Sequence, residues 1–314
     1  MNEKLKILIS SRSFGKINSD AIELLKKYNL APIFNPYGKK LTEEQIIDLM
    51  DNAVGIIAGT ETITKKVIES NKNLKVISRY GIGTDNIDLE AARENNIIIY
   101  TTVEAASLAV AELTIALIFS LIKKIRDADL NLRKNMWKPE FGHLLSNKTI
   151  GIIGLGNIGK KVAVFLKPFN VKIIAFDIKP DENFVKNHNI DIVTLDDLLS
   201  ISDIVTVHIP LNKYTRYILN KKNLSKMKDT AFLINTSRGG IVNEGDLYQV
   251  LKEKKIAGAA IDVFENEPDV GKLKELDNVI LTPHIGTYTV ETRRDMERET
   301  VTNLINGLKE LNVI

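Results

Sequence analysis

A glycine-rich turn between an aliphatic run and an apolar helix constrains the fold of this chain more than any other feature. The run 148–153 predicts a parallel strand covered on both faces, and residues 160–169 predict the helix that covers it. We expect Gly154 to permit the tight turn, Gly156 to let backbone amides approach a pyrophosphate, and Gly159 to let the helix pack closely on the strand. This order of strand, turn and helix predicts a dinucleotide-binding unit.

A second strand, residues 171–176, follows the helix and ends in Asp177. An acidic residue about 20 positions after the glycines accepts hydrogen bonds from the adenosine ribose hydroxyls and repels a 2′-phosphate. The sequence therefore predicts NAD rather than NADP as the cofactor. The alternative interpretation is that Asp177 merely opens the turn before Pro180.

The composition indicates a soluble globular protein large enough for two domains. The 314 residues exceed one typical core, and contents of 44% hydrophobic and 26% charged residues are ordinary. The formal net charge is only +3 and the charges are interspersed, so no nucleic-acid or membrane partner is predicted. The absence of cysteine excludes disulfides, thiolate zinc sites and cysteine nucleophiles, and we predict no metal site.

Short aliphatic strands alternate with helices ahead of the glycine turn, which predicts a small parallel sheet wrapped by helices. The predicted strands are 5–10, 32–35, 55–58, 75–78 and 97–100. A helical stretch follows at 104–126, where Glu112 interrupts the apolar run, so we expect a buried or interface helix. Because no window approaches about 18 uncharged apolar residues, the sequence predicts no membrane span and a cytoplasmic protein.

The chain beyond Asp177 continues the alternation and predicts a complete doubly wound domain. Its later strands are predicted near 192 and at 203–209, 231–235, 256–262 and 279–281. A last helix at 289–308 follows the finished sheet and is expected to return to the first domain. The predicted fold class is α/β with two doubly wound parallel-sheet domains, a discontinuous one (1–101 and 287–314) and a dinucleotide-binding one (102–286).

Residues that directly follow predicted strands are the candidates for chemistry, because ligands bind at the carboxyl ends of such strands. Arg238 follows one strand and lies between Ser237 and Gly239 in the segment 235–240. A guanidinium held there would bind a ligand carboxylate in bidentate geometry. The alternative is that Arg238 forms a surface salt bridge.

His284 follows the last strand and is the predicted general acid/base, since histidine exchanges protons near neutral pH. Glu267, in the acidic loop after the preceding strand, is predicted to orient it and to favour the protonated imidazole. His208 is expected to line the cofactor cleft. His143 and His188 are predicted to be surface residues.

Six motifs together make the chain resemble the D-2-hydroxyacid dehydrogenases, most closely their D-3-phosphoglycerate dehydrogenase branch without a regulatory domain. The resemblance covers nearly the whole length. The motifs are residues 79–88, 109–113, the glycine turn, residues 237–242, residues 262–264 with Glu267 and Pro268, and residues 282–284.

The resemblance implies hydride transfer between C2 of the substrate and nicotinamide, with a Rossmann NAD domain and a flavodoxin-like substrate domain that closes on it. Arg238 would hold the carboxylate and carbonyl, His284 would exchange the hydroxyl proton, and Glu267 would support His284. The expected cofactor-binding residues are Gly154, Gly156, Asn157, Ile158, Gly159, Asp177, His208, Ile209, Pro210, Thr236, Ser237, Asp262 and Gly286. The expected substrate-binding residues are Arg79, Tyr80, Gly81, Ile82 and Gly83.

The resemblance also implies a homodimer formed through the stretch 104–126 and the exposed, basic segment that contains Trp137. Two departures bear on the substrate: residues 58–62 lack the arginine that phosphoglycerate enzymes often carry, and residues 101–103 replace Asn-Thr-Pro. A substrate phosphate would then meet Arg79, or Lys138 and Arg133. D-3-phosphoglycerate is the preferred substrate, with glyoxylate, hydroxypyruvate and D-lactate as alternatives.

A binding protein that senses NAD(H), like the transcriptional corepressors built on this scaffold, is the alternative from another functional class. Such proteins keep the same three polar residues. A formate dehydrogenase is disfavoured, because that relative pairs its histidine with an amide where this chain has Glu267.

Overall fold

The computed structural model describes residues 4–17 and 19–314, and the chain divides into two compact units. Unit 1 comprises Met1–Ala106 and Tyr288–Ile314, and unit 2 comprises Ser107–Thr287. The sequence placed the first boundary before the long helix. The structure places it within that helix, because Ala106 packs in the core of unit 1.

Unit 1 contains a five-stranded parallel sheet with the order β2-β1-β3-β4-β5, which is the flavodoxin-like order. Its strands are β1 (Leu5–Ile9), β2 (Leu30–Phe34), β3 (Ala53–Ala58), β4 (Val76–Arg79) and β5 (Ile98–Thr101). Its helices are α1 (Asp20–Lys27), α2 (Glu43–Leu49), α3 (Lys65–Glu69), α4 (Leu89–Glu94) and, from the end of the chain, α12 (Val290–Glu310).

Unit 2 contains a seven-stranded parallel sheet with the order β12-β11-β10-β9-β6-β7-β8. Its strands are β6 (Thr149–Ile153), β7 (Lys172–Phe176), β8 (Asp191–Ile192), β9 (Ile204–Val207), β10 (Phe232–Asn235), β11 (Gly258–Ile261) and β12 (Val279–Leu281). Its helices are α5 (Val103–Ile122, which begins in unit 1), α6 (Ile125–Arg133), α7 (Asn157–Leu166), α8 (Glu182–His188), α9 (Leu195–Ile201), α10 (Lys221–Leu224) and α11 (Glu244–Lys252). Short 3-10 helices form at Lys167–Phe169 and Gly271–Glu275.

Both sheets are covered by apolar side chains on their two faces, as parallel strands require. In unit 1, β3 is buried along its whole length, and Ile57 and Ile56 pack into separate clusters on opposite faces. In unit 2, Ile153 and Ile152 of β6 divide in the same way. The predicted class of two parallel-sheet α/β domains is confirmed.

The long helical stretch is shorter than predicted. Helix α5 ends at Ile122, Lys124 has a left-handed φ of 53°, and α6 begins at Ile125 in place of part of the predicted exposed segment. By length and composition α5 is also apolar enough to cross a membrane, so the expectation that no window comes near such a span is wrong. Because 56% of that window is buried inside the structure, a core helix explains its composition. A cytoplasmic location stays a prediction.

Candidate active site

The glycine turn after β6 has the geometry that its sequence predicts. Gly154 has a φ of 96°, and a Cβ on it would lie 2.7 Å from the carbonyl oxygen of His208. A Cβ on Gly159 would lie 2.0 Å from the carbonyl oxygen of Gly154, so only glycine lets α7 pack this closely on the turn. At Gly156 a Cβ would meet nothing within 4 Å, which leaves the backbone of the turn open to a ligand.

Helix α7 begins directly at this open turn and has no side-chain cap. Its N-cap is Gly156, and the amides of Asn157 and Ile158 in the first turn have no hydrogen-bond acceptor within the described residues, an arrangement suited to an anion. Asp177, at the end of the neighbouring β7, accepts hydrogen bonds from the amides of Leu155 and Lys179, both at 2.7 Å. Its carboxylate therefore stabilises the glycine turn. It also begins the turn before Pro180, as the alternative interpretation proposed. Its role toward a ribose stays a prediction.

The loop after β9 lies against the glycine turn through His208. Burial lowers the pKa of His208 to about 3, so the ring is neutral at physiological pH. Its Nε2 shares a hydrogen bond of 2.9 Å with the hydroxyl of Thr206, and its buried Nδ1 has no hydrogen-bond partner within the described residues. Next along the loop, Ile209 is half-buried and Pro210 is exposed.

The end of β10 joins this loop to helix α5. The Ser237 hydroxyl donates a hydrogen bond to the carbonyl oxygen of Ile209. The hydroxyl of Thr236 shares a bond of 2.9 Å with the buried hydroxyl of Thr114 on α5. Thr236 therefore directs its side chain into the interior of unit 2, and its backbone remains the part that a cofactor would reach.

Arg238 is half-buried and belongs to a loop that packs tightly on the loop after β11. A Cβ on Gly239 would lie 2.2 Å from the carbonyl oxygen of Phe264, so glycine is required where the two loops meet. The Arg238 Nη1 donates a hydrogen bond of 2.7 Å to its neighbouring carbonyl oxygen, that of Ser237. Its positive charge also lowers the pKa of Glu267, which places the guanidinium near that carboxylate.

Asp262, at the end of β11, holds the turn that carries His284. One carboxylate oxygen accepts from the Thr282 hydroxyl at 2.6 Å and from the Ile285 amide at 2.8 Å, and the other accepts from the Gly286 amide at 3.0 Å. The residue is 1% exposed, and this burial raises the pKa of Asp262 although its hydrogen bonds oppose the change. Asp262 was predicted to contact the cofactor. In this structure its carboxylate accepts hydrogen bonds from the turn that carries His284.

His284 and Glu267 form the one His–carboxylate pair that the described residues contain at contact distance. Nδ1 of His284 lies 2.9 Å from both Glu267 oxygens, and the Phe264 amide donates a further bond of 3.2 Å to Oε1. The His284 backbone has a left-handed φ of 53°, and its amide donates to the carbonyl oxygens of Asp262 and Thr282. Because Nδ1 is engaged by Glu267, Nε2 is the atom left to exchange a proton with a ligand.

The surroundings of Glu267 favour its ionised form. Burial by itself would raise the pKa of Glu267, but the hydrogen bond and charge of His284, the Phe264 amide and the charge of Arg238 outweigh burial and hold the pKa below its ordinary value. The structure thus brings together the three polar residues that the sequence proposed as catalytic.

The predicted substrate-binding loop, Arg79–Gly83, follows β4 in unit 1. Arg79 is only 9% exposed, its Nη1 donates to the carbonyl oxygen of Tyr80, and a Cβ on Gly81 would lie 2.6 Å from that same nitrogen. The guanidinium is therefore folded onto its own loop rather than offered to a phosphate. Tyr80 is 5% exposed, and burial raises the pKa of its phenol. Ile82 and Gly83 are half-buried.

The two other predicted phosphate ligands lie in the exposed region after α5. Nε of Arg133 lies 2.7 Å from Oδ2 of Asp129, and Nζ of Lys138 lies 3.9 Å from Oε1 of Glu140. Whether either reaches a partner subunit stays a prediction. Among the described residues, no group of three or more His, Cys, Asp or Glu side chains is placed to hold a metal ion.

Comparison with known proteins identifies the family of the chain. The profile described as "D-isomer specific 2-hydroxyacid dehydrogenase, NAD binding domain" matches residues 115–286, which include the glycine turn, Arg238, Glu267 and His284. The chain belongs to this family. It is therefore an NAD-dependent oxidoreductase of the D-2-hydroxyacid dehydrogenases, and the cofactor predicted from Asp177 is confirmed as NAD at the level of the family.

Relatives of this D-2-hydroxyacid dehydrogenase act on different acids. The hydroxypyruvate reductase of Thermotoga maritima is 36% identical over 93% of the chain and 96% of its own length. The D-3-phosphoglycerate dehydrogenase of Methanocaldococcus jannaschii is 35% identical over 99% of the chain, which spans only 59% of that relative. The crystal structure of D-lactate dehydrogenase from Aquifex aeolicus with NAD and lactic acid matches with a TM-score of 0.85 at 28% identity, over 97% of this chain and 96% of that one.

Sequence reasoning missed one cluster, which lies around Arg293 in the first turn of α12. Its guanidinium lies over the rings of Tyr80 and Tyr288, with distances of 4.8 Å and 4.3 Å to their centroids. One turn later, Glu297 is fully buried and accepts a hydrogen bond of 2.9 Å from the Gly15 amide. A charged pair on an otherwise ordinary amphipathic helix carries no local sequence signal for such a cluster.

Proposed function

We propose that the chain catalyses reversible hydride transfer at C2 of a D-2-hydroxy acid, with His284, Glu267 and Arg238 as its catalytic residues. The observation that carries the proposal is the bond of 2.9 Å between Nδ1 of His284 and the Glu267 carboxylate, at the end of the NAD-domain sheet. A bound nicotinamide cofactor would supply the hydride as NADH for reduction and accept it as NAD⁺ for oxidation. The residues of the chain then bind the acid and move one proton.

His284 is proposed to donate a proton from Nε2 to the C2 oxygen as the carbonyl is reduced, and to take it back during oxidation. The carbonyl carbon gains the hydride and the oxygen gains the proton, so the products are a neutral hydroxyl and a neutral imidazole. Glu267, whose lowered pKa keeps its carboxylate ionised, is proposed to orient the ring through Nδ1. A carboxylate that hydrogen-bonds an imidazole, with the imidazole facing the substrate, is the arrangement of a catalytic dyad.

Arg238 is proposed to hold the substrate carboxylate and to polarise the C2 carbonyl. A guanidinium has five donors in a planar fork, and the Ser237 carbonyl oxygen engages Nη1. The charge of Arg238 also lowers the pKa of Glu267, so the guanidinium lies near that carboxylate. In unit 1, the backbone amides of the loop 80–83 are proposed to bind a carboxylate.

The residues around the glycine turn are proposed to hold NAD. The open backbone at Gly156 and the uncapped start of α7 at Asn157 suit a pyrophosphate, and Asp177 suits the adenosine ribose. The segments 208–210, 236–237 and Gly286 would line the rest of the cofactor path.

The proposed substrate is D-3-phosphoglycerate with its 2-keto partner, 3-phosphohydroxypyruvate. Support comes from the motifs shared with that branch and from the relative that matches 99% of the chain. The second candidate is a small acid of the glyoxylate or hydroxypyruvate type. It is favoured by the folded-back Arg79 and by Glu61, a buried residue on the loop after β3 whose Oε2 accepts a bond of 2.9 Å from the Ser10 hydroxyl.

A panel of 2-keto acids with NADH tests this proposal. We expect NADH absorbance to fall with at least one member of a panel that contains 3-phosphohydroxypyruvate, hydroxypyruvate, glyoxylate and pyruvate. The highest kcat/KM is expected for 3-phosphohydroxypyruvate. Tight NADH binding without oxidation by any member would instead favour an NAD(H)-sensing protein.

A homodimer is proposed as the working form. The segment 136–144 contains neither helix nor strand, and it exposes Trp137 (88%), Phe141 (98%) and Leu144 (71%). A run of large apolar side chains this exposed is typical of a protein interface. Light scattering should give a dimer mass at micromolar concentration, and a monomer alone would contradict the assignment.

A further inference from the structure

Glu265, two residues before Glu267 in the loop after β11, joins three segments of unit 2. Its amide donates a hydrogen bond of 2.6 Å to Oε1 of Glu244, the first residue of α11. Its own Oε1 accepts from the Glu244 amide at 3.5 Å, and its Oε2 accepts a bond of 2.6 Å from the hydroxyl of Tyr217. The loop is therefore tied at one residue to the start of a helix and to the segment between β9 and α10.

The two partners of Glu265 are themselves held in place. The Tyr217 amide donates a bond of 2.8 Å to the carbonyl oxygen of Gly240, in the loop that follows β10, and Nη2 of Arg216 donates a bond of 3.0 Å to the Tyr217 hydroxyl. Because that hydroxyl accepts from Arg216, its own proton is available to Glu265. Helix α11 begins directly after Asn243, whose side chain caps its first turn. Both anchors therefore belong to structured parts of unit 2.

The charges around Glu244 place this anchor close to the candidate catalytic pair. Burial raises the pKa of Glu244, and the charges of Glu265, Asp269 and Glu267 raise it further, although the bond from the Glu265 amide opposes the change. Coulomb interactions weaken with distance, so the carboxylates that act on Glu244 are its neighbours. Glu244 and Glu265 thus belong to the same cluster of acidic side chains as Glu267.

The backbone next to Glu265 also aligns Glu267. The Phe264 amide donates a bond of 3.2 Å to Oε1 of Glu267, and both oxygens of that carboxylate lie 2.9 Å from Nδ1 of His284. Phe264 directly precedes Glu265 in the chain. The bonds that hold Glu265 therefore also hold the amide to which Glu267 binds.

We propose that Glu265 is a positioning residue that, with Glu244 and Tyr217, holds the loop after β11 so that the Glu267 carboxylate stays on Nδ1 of His284. This inference rests on the proposed function and deepens it. Glu265 acts through Glu267 and exchanges no proton with the substrate.

Amide hydrogen exchange at Phe264 tests this positioning without an activity assay, because its N–H binds the Glu267 carboxylate directly. We expect E265A to raise the exchange rate by about tenfold or more, since two side-chain hydrogen bonds that hold the loop are lost. E265Q keeps an oxygen acceptor and should exchange at nearly the wild-type rate. The matched control is N266A, which should leave the rate unchanged, because Asn266 is exposed and its bond with Asp269 is formed by the backbone.

Turnover tests whether the positioning acts on His284. With the 2-keto acid that the wild type reduces best, E265A should lower kcat by about tenfold, while KM and the NADH Kd stay within about threefold. In the H284N background the same substitution should lower kcat by less than about twofold, because no imidazole remains for Glu267 to orient. E265Q should recover most of the lost kcat.

Two results would overturn the inference. One is an exchange rate at Phe264 that is the same in E265A and the wild type. The other is an equal loss of kcat in the wild-type and H284N backgrounds, because Glu265 would then support the fold and not the pair of His284 and Glu267. If the wild type reduces no 2-keto acid, the proposed function fails, and the exchange rates by themselves decide whether Glu265 positions Glu267.

Discussion

At the scale of single residues, Glu267 is the side chain whose charge most affects the candidate site. It shares its two oxygens with one imidazole nitrogen of His284 and accepts a backbone amide as well. Hydrogen bonds to an ionised carboxylate are stronger than those between neutral groups. The carboxylate therefore fixes the ring orientation of His284.

The pH dependence of stability follows from the lowered pKa of Glu267. Because the pKa in the folded state lies below the ordinary value of 4.5, the ionised group stabilises the fold above that pH. This stabilisation is lost as the pH falls through the lowered value. We expect the free energy of unfolding of the wild type to exceed that of E267Q at neutral pH, with the difference shrinking below about pH 4.

Urea unfolding of the wild type and E267Q at a series of pH values measures this difference. The two proteins differ in no other titratable group. A difference that stays constant from neutral pH to about pH 3 would show that the ion pair does not contribute.

At the scale of elements, the contact between β6 and α7 depends on two glycines with opposite requirements. Gly159 is enclosed, since a Cβ there would collide with the Gly154 carbonyl oxygen at 2.0 Å. Gly156 faces open space and has an ordinary φ of −72°. One glycine therefore serves the packing of the helix, and the other is proposed to serve the cofactor.

Alanine substitutions separate these two roles. G159A should lower the free energy of unfolding by about 2 kcal/mol or more, because backbone atoms must shift to admit the methyl group. G156A should change stability by less than about 0.5 kcal/mol but weaken NADH binding by about tenfold or more, since its methyl group occupies the pyrophosphate approach. Chemical denaturation and NADH fluorescence titration measure both quantities. A stable G159A, or a G156A with unchanged NADH affinity, would contradict the assignment.

At the scale of the whole molecule, the sequence predicted the sheets well and the local detail less well. Aliphatic runs such as 53–58 form strands because burial on both faces leaves no other arrangement. The break after α5 at Lys124 escaped prediction because a lysine, not a glycine, adopts the positive φ. Helix α8 escaped because none of its residues is buried, so it lacks a periodic apolar stripe.

The candidate site also contains residues that the sequence predicted and residues that it did not. His284, Glu267 and Arg238 follow strands of one sheet, so the topology rule alone brought them to one edge. Whether a long side chain extends or folds back depends on tertiary packing, which explains why Arg79 was proposed for a phosphate although it lies buried on its own loop. Arg293 was missed because its partners, Ser13 and Tyr80, are distant in sequence.

The central claim is that His284 exchanges the substrate proton, and the variant H284N tests it most directly. Asparagine tolerates the left-handed φ of 53° at this position, so the turn should keep its conformation. The measurement is kcat for NADH-dependent reduction of the preferred 2-keto acid, together with the Kd for NADH. We expect kcat to fall by about 10²- to 10⁴-fold with the NADH Kd unchanged. A kcat equal to that of the wild type would contradict the account.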